Sequence, residues 1–230
     1  MPGYHLESNI QYNQHTLIDK KFIPALSFDF LTDYYDRIIK IIMPFGFREI
    51  LMHQAQPFPN EYILDFGTGT AELAILIKKK RQTSNVIAID IDPKVLKIAK
   101  RKIIRESLDI QIIEYDGKTF PLSSDSFDKV VSCLVFHHLS PDQKNYALSE
   151  IYRVLKTGGK IYIADWGLER NAFKATFMNL FKYFDSLKYI VEHATGLFPE
   201  YISKAGFKYT VETGFLKTRT GTLCYYEAQK

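Results

Sequence analysis

Short apolar segments alternate with helical patterns through the middle of this 230-residue chain, and that alternation limits its fold more than any other feature. Buried parallel strands read as continuous β-branched runs, as Val86–Ile89 does. Alternation of such strands with helices is typical of a parallel sheet that is covered on both faces. The predicted strands are Tyr62–Phe66, Val86–Asp90, Ile110–Tyr115, Lys129–Leu134 and Lys160–Asp165, and the predicted helices are Ala71–Arg81, Pro93–Arg105 and Pro141–Leu155. Gly158-Gly159 is predicted to form the turn before the last of these strands.

The two ends of the chain follow other patterns. Two last strand candidates, Phe207–Thr213 and Thr222–Ala228, are close enough in sequence to form an antiparallel hairpin. We therefore expect a doubly wound α/β fold with a mostly parallel seven-stranded sheet, helices on both faces and a C-terminal antiparallel hairpin. Residues 1–56 are predicted to be N-terminal covering helices, and residues 57–230 the main domain with a helical insertion at about 167–195.

Composition narrows the function classes. Cys133 and Cys224 are far apart and form neither a disulfide framework nor a metal or redox pair, which favours a reducing cytoplasm. No apolar run approaches the roughly 20 residues of a membrane helix, so no membrane span is predicted. The formal charge of +4 is mild, and Lys78–Arg81 and Lys94–Arg105 fit solvated helix faces. Nucleic acid is therefore not the expected partner.

A glycine-containing loop, Asp65–Thr70, lies where the first strand ends and a helix begins. Gly67 and Gly69 let a ligand approach the backbone, and free N–H groups at the helix start offer donors. A dinucleotide loop needs a small residue where this chain has Glu72, and Asp65 is awkward for a pyrophosphate. The loop therefore favours a ligand with a cationic amino-acid moiety over NAD.

Two further carboxylates follow the second and third strands. Asp90 can accept both hydroxyls of a ribose, and its alternative role as a helix N-cap suits Asp92 better. Ile91 would then lie against one face of an adenine. In Asp116-Gly117, the carboxylate can accept a hydrogen bond from the adenine amine or simply form a turn, and local rules leave these two interpretations equal.

Five ordered motifs together resemble the class I S-adenosylmethionine-dependent methyltransferases. Outside them, the chain is similar to the small-molecule branch that includes ubiquinone and menaquinone methyltransferases. The motifs are Tyr62–Thr70, Ile89–Asp92, Asp116-Gly117, Phe127–Val131 and Leu155–Lys160.

The resemblance implies S-adenosylmethionine as the cofactor and assigns its parts to particular residues. It places the methionine moiety on Asp65 and on the backbone of Gly67–Gly69, which includes Thr68. The ribose then falls to Asp90, the adenine to Asp116 beside Gly117, and Leu134 flanks the cofactor. The chain departs from the family at Ala71, where a third glycine is common, and we expect tighter packing there.

Methyl transfer from a sulfonium is an in-line displacement that positioning and desolvation can largely catalyse. If the acceptor must lose a proton, His137, His138 and Asp165 at neighbouring strand ends are the candidate catalytic residues. The alternative is that these histidines cap a helix or bind a backbone carbonyl. No metal site is predicted.

The expected acceptor is a small, apolar or aromatic molecule. Aromatic residues are frequent before the first strand and after the fifth, and Tyr34, Tyr35 and Trp166 combine an apolar ring with a polar tip. These rings could instead seal the edge of the sheet. The alternative functions are an RNA or protein methyltransferase, a catalytically silent S-adenosylmethionine-binding protein and, more weakly, a dehydrogenase. The sequence predicts neither the acceptor's identity nor the oligomeric state.

Overall fold

The computed structural model describes residues 43–171 and 193–230, in which seven strands and five α-helices are found. The strands are β1 (Tyr62–Phe66), β2 (Asn85–Asp90), β3 (Ile110–Glu114), β4 (Phe127–Cys133), β5 (Leu155–Trp166), β6 (Lys208–Lys217) and β7 (Thr222–Gln229). The helices are α1 (Phe47–Ala55), α2 (Glu72–Lys80), α3 (Pro93–Arg105), α4 (Pro141–Val154) and α5 (Phe198–Lys204). A 3₁₀ turn, Phe136–His138, links β4 to α4.

All seven strands form one sheet in the order β3-β2-β1-β4-β5-β7-β6. The first five strands pair in parallel, and β7 is antiparallel to both β5 and β6. This topology confirms the predicted doubly wound sheet and its C-terminal hairpin. The strand order reverses between β1 and β4, so a crevice is expected outside their carboxyl ends.

Helices cover both faces of the sheet, and each face has its own apolar core. One core joins α1, α2 and α3 to the sheet through side chains such as Leu51, Ala74 and Ala99. The other joins α4 and α5 to the opposite face through residues such as Leu148 and Ile202. The sheet therefore holds the carboxyl ends of its strands within a rigid, two-sided frame.

Local capping explains where two of these helices begin. Asp92 accepts a hydrogen bond from the Lys94 backbone N–H at 2.8 Å and Pro93 follows it, which confirms Asp92 as the N-cap of α3. Ser140 and Gln143 form a reciprocal capping box at the start of α4. These caps fix the backbone of the segments that connect β2 to α3 and β4 to α4 at the crevice.

Strand β5 begins five residues earlier than predicted. The expected turn at Gly158-Gly159 is instead an irregular part of β5, with a register shift against β4 between Phe127 and Lys129. The end of the chain pairs with it, because Gly158 N donates to Lys230 O and Lys230 N donates to Gly159 O at 2.9 Å. A contact with the distant C terminus therefore overrides the local turn signal.

The division into residues 1–56 and 57–230 stays a prediction. Helix α1 falls in the first segment, whereas the rest of its helical pattern and most of the insertion at about 167–195 lie outside the described residues. Within the described ranges, no helix has the length and apolar character needed to cross a membrane.

Candidate active site at the carboxyl ends of the strands

The two glycines of the loop after β1 have different surroundings. Both adopt positive φ, +68° at Gly67 and +54° at Gly69. A Cβ added to Gly67 would lie 2.4 Å from Cγ2 of Val135, whereas one added to Gly69 would meet no atom of the described residues within 4 Å. Gly67 is therefore required for packing, and Gly69 leaves space for a ligand to approach the backbone.

Asp65 is a buried carboxylate beneath this loop, with 2% of its surface exposed. Its Oδ2 accepts a hydrogen bond from the Thr68 hydroxyl at 2.6 Å. Burial raises the pKa of Asp65 to about 6, and the nearby charge of Asp90 adds to the rise, while Thr68 and the charge of Arg48 oppose it. A ligand cation close to Asp65 would favour the ionised form.

Asp90 at the end of β2 is held by the backbone on both sides. Its Oδ2 accepts from Gly69 N at 2.8 Å, and its Oδ1 accepts from Asp92 N at 3.0 Å. Burial raises the pKa of Asp90, although these backbone donors oppose the rise. A carboxylate has about four acceptor positions, so this geometry leaves capacity for a ribose diol.

The residues predicted for the adenine end lie near one another. A Cβ added to Gly117, where φ is +80°, would lie 3.7 Å from Cγ2 of Ile91. Asp116 is exposed, and its Oδ1 accepts from Lys118 N at 2.9 Å, so the turn-forming role is present. Its Oδ2 makes no hydrogen bond to any of the described residues. Asp116 therefore forms the turn and keeps its second carboxylate oxygen available to a ligand.

Asp165 is the centre of a hydrogen-bond network above β4 and β5. Its Oδ1 lies 2.6 Å from Nδ1 of His137 and accepts from Trp166 N at 2.7 Å. Its Oδ2 accepts from Val135 N at 3.0 Å and from Phe136 N at 2.7 Å. Although burial opposes ionisation, the charge and hydrogen bond of His137 hold the pKa of Asp165 well below its ordinary value. Asp165 is therefore a satisfied carboxylate that orients an imidazole.

The two adjacent histidines have different environments. Because ionised Asp165 only accepts, Nδ1 of His137 carries a proton, so Nε2, which bonds to no described residue, is the nitrogen that can accept when the ring is neutral. The His138 ring lies 3.9 Å from the His137 ring, measured between centroids. Burial, reinforced by the charge of His137, lowers the pKa of His138 to about 3. Of the two, His137 has the geometry of a general base.

The candidates for the acceptor side are only partly described. Trp166 lies edge-on to His137 with 6.3 Å between ring centroids. Leu134 is buried, adopts a left-handed φ of +60° and donates to Ala164 O where β4 leaves the sheet. Tyr34 and Tyr35 lie outside the described residues, so their predicted role stays a prediction.

Sequence reasoning missed three residues next to these sites. Val135 contacts the backbone of Gly67, Arg48 contributes charge near Asp65, and His193 bonds the carbonyl of Trp166 at 3.0 Å through Nδ1. None carries a local motif, and each reaches its site from another part of the fold. Only Val135, which lies two residues after the end of β4, had a positional signal that could have identified it.

The fold and the paired sites define a doubly wound domain with buried carboxylates at the carboxyl ends of its strands, and comparisons with known proteins indicate its class. Residues 63–159 match the family described as "Methyltransferase domain". A demethylmenaquinone methyltransferase of Thermus thermophilus is 34% identical over 45% of this chain and 46% of its own length. One of Lactobacillus johnsonii is 29% identical over 79% of this chain and 82% of its own.

Solved structures agree on the fold. An S-adenosylmethionine-dependent methyltransferase from Aquifex aeolicus superposes with a TM-score of 0.62, at 18% identity, over 84% of this chain and 97% of its own. Phosphoethanolamine N-methyltransferase 2 from Haemonchus contortus, in complex with S-adenosyl-L-methionine, superposes with a TM-score of 0.67 at 16% identity. The superposition covers 88% of this chain and 57% of that protein.

Residues 63–159 therefore match a methyltransferase domain, as the five motifs predicted, and the fold is that of solved S-adenosylmethionine-dependent methyltransferases. The resemblance to the ubiquinone and menaquinone branch is also confirmed, since a relative in Geotalea daltonii is named a ubiquinone/menaquinone biosynthesis C-methyltransferase. The chain spans about half the length of several of these relatives, with 46% of the Thermus and 59% of the Geotalea protein aligned.

Proposed function

We propose that this protein transfers a methyl group from S-adenosylmethionine to a small, apolar or aromatic molecule by in-line displacement. The observation that carries the proposal is the pairing of two sites at the same edge of the sheet. The Asp65–Asp90 side has open space above Gly69 for a ligand, and the Asp165–His137 side has an oriented imidazole. Relatives named for demethylmenaquinone support a quinone-like acceptor.

The residues present fit the methyl donor. The ammonium of its methionine part would match the buried negative charge of Asp65, and the remaining acceptor positions of Asp90 would hold its ribose hydroxyls. Ile91, Gly117 and Asp116 would surround the adenine, with Leu134 beside the cofactor. When bound, the cofactor supplies a methyl group on a positively charged sulfur, which is already a good leaving group.

Each candidate residue on the acceptor side has its own proposed role. We assign His137 Nε2 as the base that takes a proton from the acceptor, while Asp165 orients the ring and stabilises the imidazolium. His138, whose pKa is lowered to about 3, is a weak base and is assigned to packing against His137. Trp166, with Tyr34 and Tyr35, is proposed to enclose an apolar acceptor.

The basic runs support a small molecule over RNA or a protein. Lys78 is buried and donates to Ser84 O at 2.7 Å, Lys79 pairs with Glu106 at 2.7 Å, and Arg81 Nε donates to Pro57 O at 2.9 Å. These cations therefore stabilise the chain itself. The exposed cations of α3 lie on the face opposite its buried side, as a solvated helix requires.

The test follows the methyl group. Protein is incubated with methyl-labelled S-adenosylmethionine and either demethylmenaquinone in oxidised and reduced forms, total RNA, or protein extract. We expect label in the solvent-extractable small molecules. Label in RNA or protein would instead make the basic helices the binding surface. If calorimetry shows binding of S-adenosylhomocysteine but no methyl transfer is found, the result would favour a catalytically silent S-adenosylmethionine-binding protein. Binding of NADH instead of S-adenosylhomocysteine would favour a dehydrogenase.

We also keep the reducing cytoplasm as the proposed location. Cys133 and Cys224 are both free thiols, and burial raises their pKa values to about 12 and about 11. Neither thiol is therefore poised for disulfide exchange. Residues 1–56 and the insertion at about 167–195 are proposed to cover the acceptor.

A further inference from the structure

Strands β4 and β5 separate above the candidate base, and the separation breaks their hydrogen-bond ladder. Leu134 N donates to Ala164 O at 2.8 Å, after which the chain leaves the sheet. In a parallel ladder the next bond would run from Phe136 N to Trp166 O. Phe136 N donates to Asp165 Oδ2 at 2.7 Å instead. The carbonyl of Trp166 is thereby left without its strand partner.

His193 supplies the missing donor. Its Nδ1 lies 3.0 Å from Trp166 O, and because a carbonyl only accepts, Nδ1 must carry the proton. The ring is 1% exposed and is stacked on Phe198 with 4.6 Å between centroids. Burial lowers the pKa of His193 to about 4, so the ring is neutral and its tautomer is fixed near pH 7.

The backbone of Trp166 is consequently bonded at both polar groups. Its N–H donates to Asp165 Oδ1 at 2.7 Å, and its carbonyl accepts from His193. The same Oδ1 atom accepts from His137 Nδ1 at 2.6 Å. A shift of the Trp166 backbone would therefore move the oxygen that orients His137.

We infer that His193 is a positioning residue, which holds the open end of β5 through its Nδ1–H and so keeps Asp165 and His137 in register. The part of the inference that concerns catalysis rests on the proposed function. The part that concerns geometry does not, since it concerns only hydrogen bonds within the chain.

Substitutions at His193 can separate the two ring nitrogens. Asn places an amide N–H near the position of Nδ1, Gln places one near Nε2, and Leu removes both. His53, which is exposed on α1, is the matched control for losing a histidine elsewhere. The readout is the Nδ1 proton of His137 in histidine-¹⁵N-labelled protein, because a 2.6 Å bond to a carboxylate shifts that proton far downfield.

We expect this resonance to be preserved in His53→Leu and His193→Asn. In His193→Leu and His193→Gln it should move upfield, and its exchange with water should become at least tenfold faster. With a working acceptor, the rate constant kcat of His193→Leu should fall at least tenfold, while KM and the affinity for S-adenosylhomocysteine stay within twofold. His193→Asn should restore kcat.

Three results would overturn the inference. They are an unchanged His137 resonance in His193→Leu, an equal loss in His193→Asn and His193→Leu, or rescue by Gln and not by Asn. The last would show that Nε2 contacts the acceptor directly. Should the parent protein bind no S-adenosylhomocysteine and transfer no methyl group, the proposed function would fail, while the resonance comparison would still decide the role of His193.

Discussion

Asp65 and Asp165 are both buried at the carboxyl ends of parallel strands, yet their pKa values shift in opposite directions. Burial raises the pKa of Asp65 to about 6, and the Thr68 hydroxyl is its side-chain hydrogen-bond donor. Burial also opposes the charge of Asp165, but the charge and hydrogen bond of His137 and the backbone N–H of Trp166 hold its pKa well below the ordinary value. The sign of the shift therefore follows the nearby opposite charge and the hydrogen-bond donors rather than the depth of burial.

The crevice has two halves, the binding half around Asp65 and Asp90 and the acceptor half around Asp165 and His137. The contrast indicates how much buried charge each half leaves for a ligand to compensate. Asp165 is compensated by the protein, so it can hold a rigid geometry in the absence of any ligand. Asp65 is only partly compensated, which leaves part of its charge to be matched by a cation from outside. We therefore expect loss of Asp165 to affect folding and loss of Asp65 to affect binding.

The largest expected effect is on Asp165. Asp165→Asn introduces an amide N–H₂ among four donors and should lower the free energy of unfolding by about 3–5 kcal/mol, as for one partner of a buried ion pair. Asp65→Asn should leave stability at pH 7 at or slightly above the parent value, because it removes a poorly compensated charge. Urea unfolding of both variants tests this contrast, and equal losses would refute it.

A somewhat smaller effect is expected where the two halves touch. A methyl group at Gly67 would clash with Val135 and force a left-handed residue, and together these should cost about 2–4 kcal/mol. The matched variant Gly69→Ala meets open space and should lose only about 1–2 kcal/mol from its positive φ. Adding Val135→Ala should recover part of the Gly67→Ala loss. No recovery in the double variant would mean that the contact is unimportant.

Cofactor affinity tests the binding half alone. Asp90→Ala removes charge-assisted hydrogen bonds to the ribose, each worth about 1.5–3 kcal/mol, and should weaken S-adenosylhomocysteine at least tenfold. Asp116→Ala, at the exposed adenine end, serves as the comparison and should have the smaller effect. Calorimetry that finds unchanged affinity in Asp90→Ala would remove the ribose assignment.

The smallest expected effect is a pH dependence carried by Asp65. With a pKa of about 6, Asp65 is mostly neutral at pH 5 and mostly ionised at pH 7. Affinity for the cationic ligand should therefore rise up to about tenfold over this range, and should stay flat in Asp65→Asn. The stability of the ligand-free protein should change with pH in the opposite direction. Because the folded-state pKa is raised above the unfolded-state value, the free energy of unfolding should fall as the pH rises from about 4 to about 6.

Asp165 contributes the opposite stability profile, which sharpens the same experiment. Its folded-state pKa is depressed, so its stabilisation is present above the unfolded-state value of about 3.9 and is lost as pH falls below it. Unfolding curves from pH 3 to 7 should show the two trends separately in Asp65→Asn and Asp165→Asn. An identical pH profile in both variants would contradict the opposite shifts.

The sequence by itself determined the parallel strands and the binding half of the crevice. Strands such as β1 and helices such as α3 begin and end as predicted, because apolar runs and local caps act over a few residues. Asp65, Gly67, Gly69 and Asp90 could be found because each lies directly at a strand end, and the topology brings parallel strand ends to one edge.

Tertiary structure decided the parts that depend on distant contacts. The Asp165–His137 bond joins residues 28 positions apart, and the His193–Trp166 bond joins residues 27 apart. Likewise Lys230 converts a predicted turn at Gly158-Gly159 into part of β5. A hydrogen-bond donor and its acceptor leave no local pattern when the fold alone brings them together. The tautomer of His137 and the opposite pKa shifts of two similar aspartates could therefore be derived only from the folded chain.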